Sequence, residues 1–448
     1  MSEAPQHNTA YRRRRFLNWF PLGLTYATFY MGRYNLNVAS KSMMDMFHLT
    51  KGEFGIIATT GFWTYALSVM FNGPLADRIG GKKAILIGAL GASVMNLIIG
   101  LMFLNGWQTK LIIGMSFLYA VNQYFQSFGA LSVVKVNAPW FHVKERGVFG
   151  GIFGIMISGG YFLAMTVGGW ILSSMSWYMV FLIPSGAIFT MFLVDLFLVK
   201  DTPKAAGFEN FNTGDASSHE ADNEKPLPFK ELMHRVFSNR VIITLAFSEF
   251  CTGFVRQGLL LWFVPFLMEV HHIQHGTRMF SMATAGITIG GIVGGILCGF
   301  ISDRLFRSRR PPVAFIFYLG QIVSLFILGK TGSPLLASFM IGFSCMWIFG
   351  VHGMLTGTAS MDFGGTRAAS TVAGLLDGVQ YLASGLTGFL MGHFLDKWGW
   401  GSWTYMIMPF SLMGALLMTR LWNETPLRKP APAKGTLEEH RPLVEDEV

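Results

Sequence analysis

The chain has 448 residues, of which 52% are hydrophobic and only 13% are charged, with 41 Phe, 27 Met and 52 Gly. This composition excludes an ordinary soluble domain and is typical of a protein that crosses a lipid bilayer several times. The formal net charge is +9, but the basic residues flank apolar segments, so we expect no nucleic-acid partner.

The N-terminal stretch MSEAPQHNTAYRRRR is polar, and the apolar run after it is long enough to span a bilayer. No small-residue cleavage site follows that run, so we expect the first span to be the targeting element as well. Runs of about 20 apolar residues predict membrane spans. The twelve predicted spans lie near residues 17–39, 54–76, 84–104, 111–134, 148–172, 177–199, 241–268, 279–302, 312–329, 334–360, 368–392 and 400–422.

A long polar stretch separates predicted spans six and seven. The predicted domains are a six-helix bundle over 1–199, a linker over 200–240, a six-helix bundle over 241–424 and a tail over 425–448. Most of the 34 Lys and Arg residues fall in loops that share a side with the termini. The opposite side carries only Lys41, Lys51, Lys110, Arg278, Lys330 and Lys397. We therefore predict a multi-pass protein of the inner cell membrane with both termini in the cytoplasm.

The first span contains an arginine, Arg33, within FYMGRYNLNVA. An uncompensated guanidinium in hydrocarbon costs roughly 2.5 kcal/mol or more, so an intramembrane Arg indicates a functional site. The polar residues that share its helical face are Tyr26, Tyr30, Arg33 and Asn37. That face should point into the protein, where span four adds Gln123 and Gln126.

Matching loops follow the second and the eighth spans, GPLADRIGGKK and GFISDRLFRSRR. We expect Asp77 with Arg78, and Asp303 with Arg304, to form a conformational latch on the cytoplasmic side. A simpler alternative makes both loops positively charged anchors, which explains the basic residues but not the paired acids. The repeated loop resembles the signature of the major facilitator superfamily. This resemblance implies an all-α fold of two pseudosymmetric six-helix bundles, with a site between them and alternating access.

The seventh span carries the second intramembrane arginine, Arg256, in CTGFVRQGLLLWF. Glu249 lies two turns earlier on the same face and is either a substrate ligand or a structural partner that neutralises Arg256. In span eleven, Asp377 contacts the substrate or forms an ion pair across the bundles. His352 in span ten either titrates near neutral pH or packs with a hydrogen bond. Asp195, near the end of span six, is expected to reach the cytoplasmic interface.

Span eleven presents Asp377, Gln380, Tyr381 and Ser384 on one helical face. A cavity lined by the polar faces of spans one, four, seven and eleven has two fixed cations, Arg33 and Arg256. Arg suits a tetrahedral oxyanion because its planar fork donates paired hydrogen bonds and keeps its proton. The sequence therefore predicts that Arg33 and Arg256 clamp one phosphate dianion.

Glycines in the eighth span form two rows with a spacing of four. Gly286, Gly290 and Gly294 make one row, and Gly291, Gly295 and Gly299 make the other, so we expect close helix packing on both sides. No strand precedes them and no Lys-Ser/Thr follows, which excludes a nucleotide loop. The three cysteines lie in apolar runs. We expect no cofactor and no metal.

Further motifs resemble one branch of that superfamily, the organophosphate:phosphate antiporters. They are YATFYMGRYNLNVA in span one, WFHVKERG after span four, KDTPKAAGF before the linker and VRQGLLLWFVPF in span seven. The resemblance implies exchange of a small organic anion for inorganic phosphate. It assigns phosphate binding to Arg33 and Arg256, with supporting contacts from Tyr26, Tyr30, Gln126 and Tyr381.

Several family residues are replaced in this chain. Where the family's glycerol phosphate and hexose phosphate carriers have additional Lys, Trp-Pro-Pro and His, this chain has Tyr34, Val69, Ala130 to Ser132 and Ile157. The site is thus less cationic, which leaves the organic part of the substrate open.

Two other functions stay open beside exchange, although none of the three is an enzyme activity. One is a membrane sensor that binds a phosphorylated sugar, since the family includes such a receptor. The other is a proton-coupled anion symporter with Glu249, His352 or Asp377 as the proton carrier. We expect a monomer in the lipid bilayer.

Overall fold

The computed structural model describes residues 8–142, 145–210, 238–307 and 309–424. The regular structure in these ranges is helical, with no β-strand among the described residues. The predicted all-α architecture is therefore confirmed. Most of the predicted linker, residues 211–237, and the tail from residue 425 lie outside the described residues.

The first half of the chain forms six successive helical segments. They are α1 (Thr9–Val38), α2 (Lys51–Ile79), α3 (Gly81–Leu104), α4 (Leu111–Gln126 and Phe128–Asn137), α5 (Arg146–Tyr161, Phe162–Val167 and Gly168–Ser174) and α6 (Met179–Leu198). A short helix, Ser40–Phe47, lies between α1 and α2. The middle part of α5 is a π-helix.

The second half repeats this order. Its segments are α7 (Arg240–Glu269), α8 (Arg278–Leu305), α9 (Arg310–Lys330), α10 (Pro334–His352 and Gly353–Ala359), α11 (Ser360–Leu386, Thr387–Met391 and Gly392–Trp398) and α12 (Trp403–Arg420). Both α10 and α11 contain a π-helical part. The described helices match the twelve predicted spans, so residues 8 and 424 lie at the same end, which we call the terminal side.

Eight of the described helices are long and apolar enough to cross a membrane by length and composition. The others include α1, α4 and α11. These helices are interrupted or carry buried polar side chains, which lower the hydropathy of a helix that faces the protein interior.

Local sequence determines several helix ends. Asn8 caps α1 by accepting from the Tyr11 amide at 2.8 Å, and Thr50 and Glu53 form a capping box at the start of α2. Gly80 ends α2 with φ +91°, a conformation that favours glycine. Asp201, just after α6, accepts from the Lys82 amide at 2.8 Å and so caps α3.

The two halves meet along three helix pairs. Asn37 on α1 donates to the Leu260 carbonyl on α7 at 3.2 Å. Thr59 on α2 donates to the Gly385 carbonyl on α11 at 2.6 Å, and Thr166 on α5 donates to Thr284 Oγ1 on α8 at 2.8 Å. Side-chain hydrogen bonds thus join the halves, two of them to backbone carbonyls and one between hydroxyl groups.

One glycine row of α8 packs as predicted, but the other does not. A Cβ on Gly290 or Gly294 would collide with the backbone of α10 at Gly342 or Met346, so this row allows two helix backbones to touch. In the second row, a Cβ on Gly291 would lie 3.3 Å from Ser158 Oγ. Gly295 is exposed, and none of the described atoms would contact its Cβ. The prediction of close packing on both sides is wrong there.

The expectation for Asp195 is also wrong. Its side chain is fully buried and accepts a hydrogen bond from Thr25 Oγ1 at 2.7 Å. α1 covers this end of α6, so the carboxyl group packs between two helices of the first half and does not reach the interface.

Substituting the packed glycine should destabilise the fold far more than substituting its exposed neighbour. We expect Gly294→Val to reduce the yield of monodisperse protein, because overpacking at a backbone contact costs at least about 1–3 kcal/mol. Gly295→Val is the matched control and should unfold at nearly the wild-type temperature. Equal thermal unfolding midpoints for the two variants would contradict the packing described here.

Candidate functional site

Arg33 lies in the middle of the protein, enclosed by aromatic rings. Its side chain is 1% exposed, and its Cζ atom is 5.2 Å from the ring centre of Tyr30 and 4.6 Å from that of Tyr65. Tyr26 is slightly further away, at 5.8 Å. Such cation–π contacts contribute about 2 kcal/mol each when water is excluded, so they offset part of the cost of burying the charge.

The hydrogen bonds of Arg33 leave much of its donor capacity unused. Nη2 donates to the backbone carbonyl of Gln126 at 3.2 Å, while Nε and Nη1 are buried and have no partner among the described residues. The same holds for both polar atoms of the Gln126 side chain. Buried donors of this kind normally find a partner, so this arrangement is suited to an anion.

Arg256 occupies the corresponding position in the second half. It is 4% exposed, its Nη2 donates to Gln380 Oε1 at 2.9 Å, and its Cζ lies 5.3 Å from the Tyr381 ring centre. Nε is buried without a partner among the described residues. α7 and α11 together hold this guanidinium in place and leave it a free donor.

Two tyrosines connect the arginine sites of the two halves. The ring centres of Tyr65 on α2 and Tyr381 on α11 are 4.3 Å apart, and Tyr65 is the ring nearest to Arg33 while Tyr381 contacts Arg256. The structure therefore brings both arginines to one buried cluster at the boundary between the halves. The predicted neighbours Tyr26, Tyr30, Gln126 and Tyr381 belong to the same cluster.

Sequence reasoning missed several members of this cluster. Tyr65 was not among the predicted residues, nor was Tyr161, whose hydroxyl is 3.3 Å from that of Tyr34. Tyr119 donates to the Arg33 carbonyl at 2.8 Å and fixes the backbone at the arginine. Each of these tyrosines lies in the middle of an apolar span. A buried phenol hydroxyl needs a polar partner, so this position could have indicated that they face the polar cluster.

Glu249 is paired with His352 and not with Arg256. His352 Nδ1 and Glu249 Oε2 are 3.3 Å apart, and the two side chains are 19% and 0% exposed. Among the described contacts of Glu249, no hydrogen bond or ion pair joins it to Arg256, and its role as a substrate ligand or as a partner that neutralises Arg256 remains a prediction. The contact with Glu249 is the kind of hydrogen bond expected if His352 is a packing residue.

Asp377 lies close to both arginines without bonding to either. The charges of Arg33 and Arg256 both act on it, its side chain is partly exposed, and no hydrogen bond or ion pair to another described residue is found. The ion pair across the bundles, one of the two expected roles, is therefore absent from the described contacts.

The predicted latch residues lie at the terminal side. Asp303 forms an ion pair with Arg310 at 2.9 Å, which joins α8 to the start of α9 within one half. Arg304 lies over the Phe300 ring at 5.7 Å, and Arg78 is exposed. Asp77 is part of α2, but its side chain is outside the described part of the structure. The latch role remains a prediction.

On the opposite side, four charged residues and one tryptophan join the halves, and we call this group the outer seal (Lys41, Lys51, Glu269, Asp396 and Trp400). Glu269 at the end of α7 pairs with Lys41 at 3.3 Å and with Lys51 at 3.0 Å, and accepts from Trp400 Nε1 at 2.7 Å. Asp396 accepts from the Lys51 and Gly52 amides at 3.0 and 2.7 Å, so it caps α2 and complements its dipole.

α5 and α8 pack against each other on the side of the outer seal. Gly169 on α5 is buried against Phe280 on α8, whereas Gly154 on α5 and Gly295 on α8 are exposed. α5 and α8 are therefore in contact on the side of the molecule where the outer seal lies.

The structure is that of a helical membrane protein with a buried polar site between two halves, and comparison with known proteins identifies its family. The chain belongs to the Major Facilitator Superfamily, whose family model matches residues 22–388. The bacterial homologue of the lysosomal transporter Spinster, crystallised in an inward-facing and unoccupied conformation, has a TM-score of 0.71 and 16% identity and covers 92% of this chain and 96% of its own. The predicted fold is thereby confirmed.

Curated relatives of the chain are similar over nearly its whole length. A glycerol-3-phosphate transporter of Bacillus subtilis is 29% identical over 428 residues, 93% of this chain and 94% of that protein. A probable hexose phosphate transport protein of Chlamydia trachomatis is 25% identical and covers 94% of both chains. The membrane sensor protein UhpC of Salmonella typhimurium is 25% identical and covers 92% of both. The resemblance to the organophosphate:phosphate antiporters is confirmed, as is the expectation that the protein is not an enzyme.

The outer seal can be tested with a disulfide across the halves. Thr166→Cys with Thr284→Cys, in a background without the native cysteines, should oxidise readily because the two hydroxyl oxygens are in contact. Adding Glu269→Gln removes the charge that holds two lysines, so we expect disulfide formation to slow several-fold, measured by loss of free thiols. Lys397→Gln, an exposed lysine on the same side, is the control. An unchanged rate with Glu269→Gln would contradict the role of the seal.

Proposed function

We propose that this protein is a secondary active transporter that exchanges an organic phosphate, or a similar anionic metabolite, for inorganic phosphate. The observation that carries this proposal is the pair of buried guanidinium groups, one from each half, with unpartnered N–H donors. The names of the glycerol-3-phosphate and hexose phosphate relatives support phosphate esters as the substrate class.

Phosphate is the anion that the geometry favours. Arg33 has two donor nitrogens without a partner among the described residues, and Arg256 has one. A phosphate dianion offers several oxygen acceptors in a tetrahedral arrangement and can therefore bond to two forks from different directions. Glu249 and Asp377 keep the site from being strongly cationic, which favours a substrate with other polar groups beside one phosphate.

Alternating access follows from the position of the arginines on different halves. A bound anion attracts both guanidinium groups and so stabilises the intermediate in which the halves are closest. The outer seal then opens while the terminal side closes, with Asp77, Arg78, Asp303 and Arg304 as the latch on that side. We propose that the terminal side is cytoplasmic and that the protein acts as a monomer in the inner membrane.

A sensor is the second candidate, favoured by the similarity to a protein named as a membrane sensor. Binding of the same anion would then bias the two conformations without net transport. The fold and the arginine pair serve either function equally well, so transport has to be measured.

Exchange should depend on the arginine fork and not only on the charge. In proteoliposomes loaded with inorganic phosphate, we expect Arg33→Lys and Arg256→Lys each to reduce counterflow of labelled phosphate by tenfold or more. Losing one partner of a buried charged hydrogen bond costs about 2–5 kcal/mol, and lysine cannot reproduce the paired donors. Arg278→Lys, an exposed arginine at the start of α8, should exchange at the wild-type rate.

The same assay separates the candidates. Competition by glycerol 3-phosphate and hexose phosphates would identify the ester, and tight binding without counterflow would favour the sensor. Exchange that persists at full rate in both lysine variants would rule out the clamp.

A further inference from the structure

The pair formed by Glu249 and His352 is a buried titratable unit that phosphate binding alone does not explain. Glu249 is 0% exposed, and its second carboxylate oxygen, Oε1, is buried without a partner among the described residues. His352 lies at the last turn of the α-helical part of α10, directly before the π-helix, and its side chain is 19% exposed. The pair therefore connects a fully enclosed acid to a partly open histidine ring.

The pair is too enclosed to be a second ligand for the organic part of a substrate. The carboxylate cannot touch a solute unless His352 moves aside, because His352 is its partner and Glu249 has no exposed surface. A proton, in contrast, can pass to Glu249 along its hydrogen bond with His352 Nδ1. The geometry therefore suits proton storage better than direct recognition.

The charged and titratable groups around the pair come from three helices. On α7 itself Arg256 lies two turns away, a rise of about 10 Å, and its charge acts on both members of the pair. Asp377 on α11 acts on Glu249 as well. From α9, the hydroxyl of Tyr318 is 2.9 Å from Ser248 Oγ and 2.7 Å from Thr252 Oγ1. Cys251 on α7 is a further titratable group close enough for the charge of Glu249 to act on it.

Arg256 links this pair to the anion site. While no anion is bound, the positive charge of Arg256 repels a further positive charge on the pair. A phosphate dianion beside Arg256 reverses the local charge, and at this distance each unit of charge changes proton affinity on the order of tenfold. Anion binding and proton binding therefore favour one another, and linkage requires that each strengthens the other equally.

We propose that the Glu249–His352 pair takes up one proton when a phosphate dianion binds beside Arg256, so that the protein carries a proton together with the anion. The proton comes from water on the side where the anion enters, resides on the carboxylate–imidazole pair, and returns to water where the anion leaves. No covalent bond is made or broken in the substrate. This inference rests on the proposed function, since it requires phosphate binding at Arg256.

Proton uptake can be measured directly with the full-length protein in weakly buffered detergent. A pH-indicator dye reports protons bound when glycerol 3-phosphate is added between pH 7.5 and 9, where a monoester with a second pKa of about 6 is already a dianion. We expect uptake that reaches about one proton per bound ester within this range. The paired measurement is counterflow in proteoliposomes, which establishes that the same preparation exchanges phosphate.

Two variants assign the uptake to the pair. His352→Gln and Glu249→Gln keep side-chain size and hydrogen bonding, and each should lose at least four fifths of the proton uptake while still binding the ester. His393→Asn replaces an exposed histidine on α11 and should keep wild-type uptake. The affinity of the wild type for the ester should fall about tenfold per pH unit above the pH at which the pair titrates, and that of His352→Gln should not.

Wild-type protein that exchanges phosphate without proton uptake overturns the proton proposal and leaves the exchange proposal intact. Undiminished uptake in His352→Gln also overturns it, because the proton then resides elsewhere. Absence of both binding and exchange in the wild type overturns both proposals. Should either variant fail to fold, the wild-type uptake and its pH dependence remain decisive.

Discussion

The cost of holding two guanidinium ions away from water is the constraint on which the arrangement of this protein depends. An isolated charge in the interior loses several kcal/mol of solvation even after relaxation, and neither Arg33 nor Arg256 has a carboxylate in direct contact among the described residues. Aromatic faces and carbonyl or amide oxygens compensate instead. Compensation of this kind is partial, so the site retains an attraction for anions that a full ion pair would have removed.

Three of the described helices of this protein contain a π-helical segment. π-Helical segments begin directly after Tyr161, after His352 and after Leu386, on three helices that meet at the boundary between the halves. Single π-helical turns are frequent at functional sites. They re-aim side chains without breaking the helix, as a membrane helix requires, because its backbone groups need internal partners.

The sequence predicted the elements that depend on composition and periodicity. Twelve spans, the shared face of Tyr26, Tyr30 and Arg33, and the packed row of Gly290 and Gly294 follow from local spacing, and the structure contains all of them.

The residues that were not predicted depend on which helices are neighbours. Tyr65 contacts Arg33 from another helix, and Glu249 faces His352 across two helices 103 residues apart. Spacing along one helix cannot reveal such a pair. Asp195 was misjudged for a related reason, since its burial depends on α1 packing over the end of α6.

If one anion joins the two halves, a structure with inorganic phosphate bound will show both arginines in contact with it. We expect phosphate oxygens within about 2.7–2.9 Å of guanidinium nitrogens from both Arg33 and Arg256, as charge-assisted bonds require. Phosphate bound to only one of the two arginines, or at a place remote from both, would contradict this expectation.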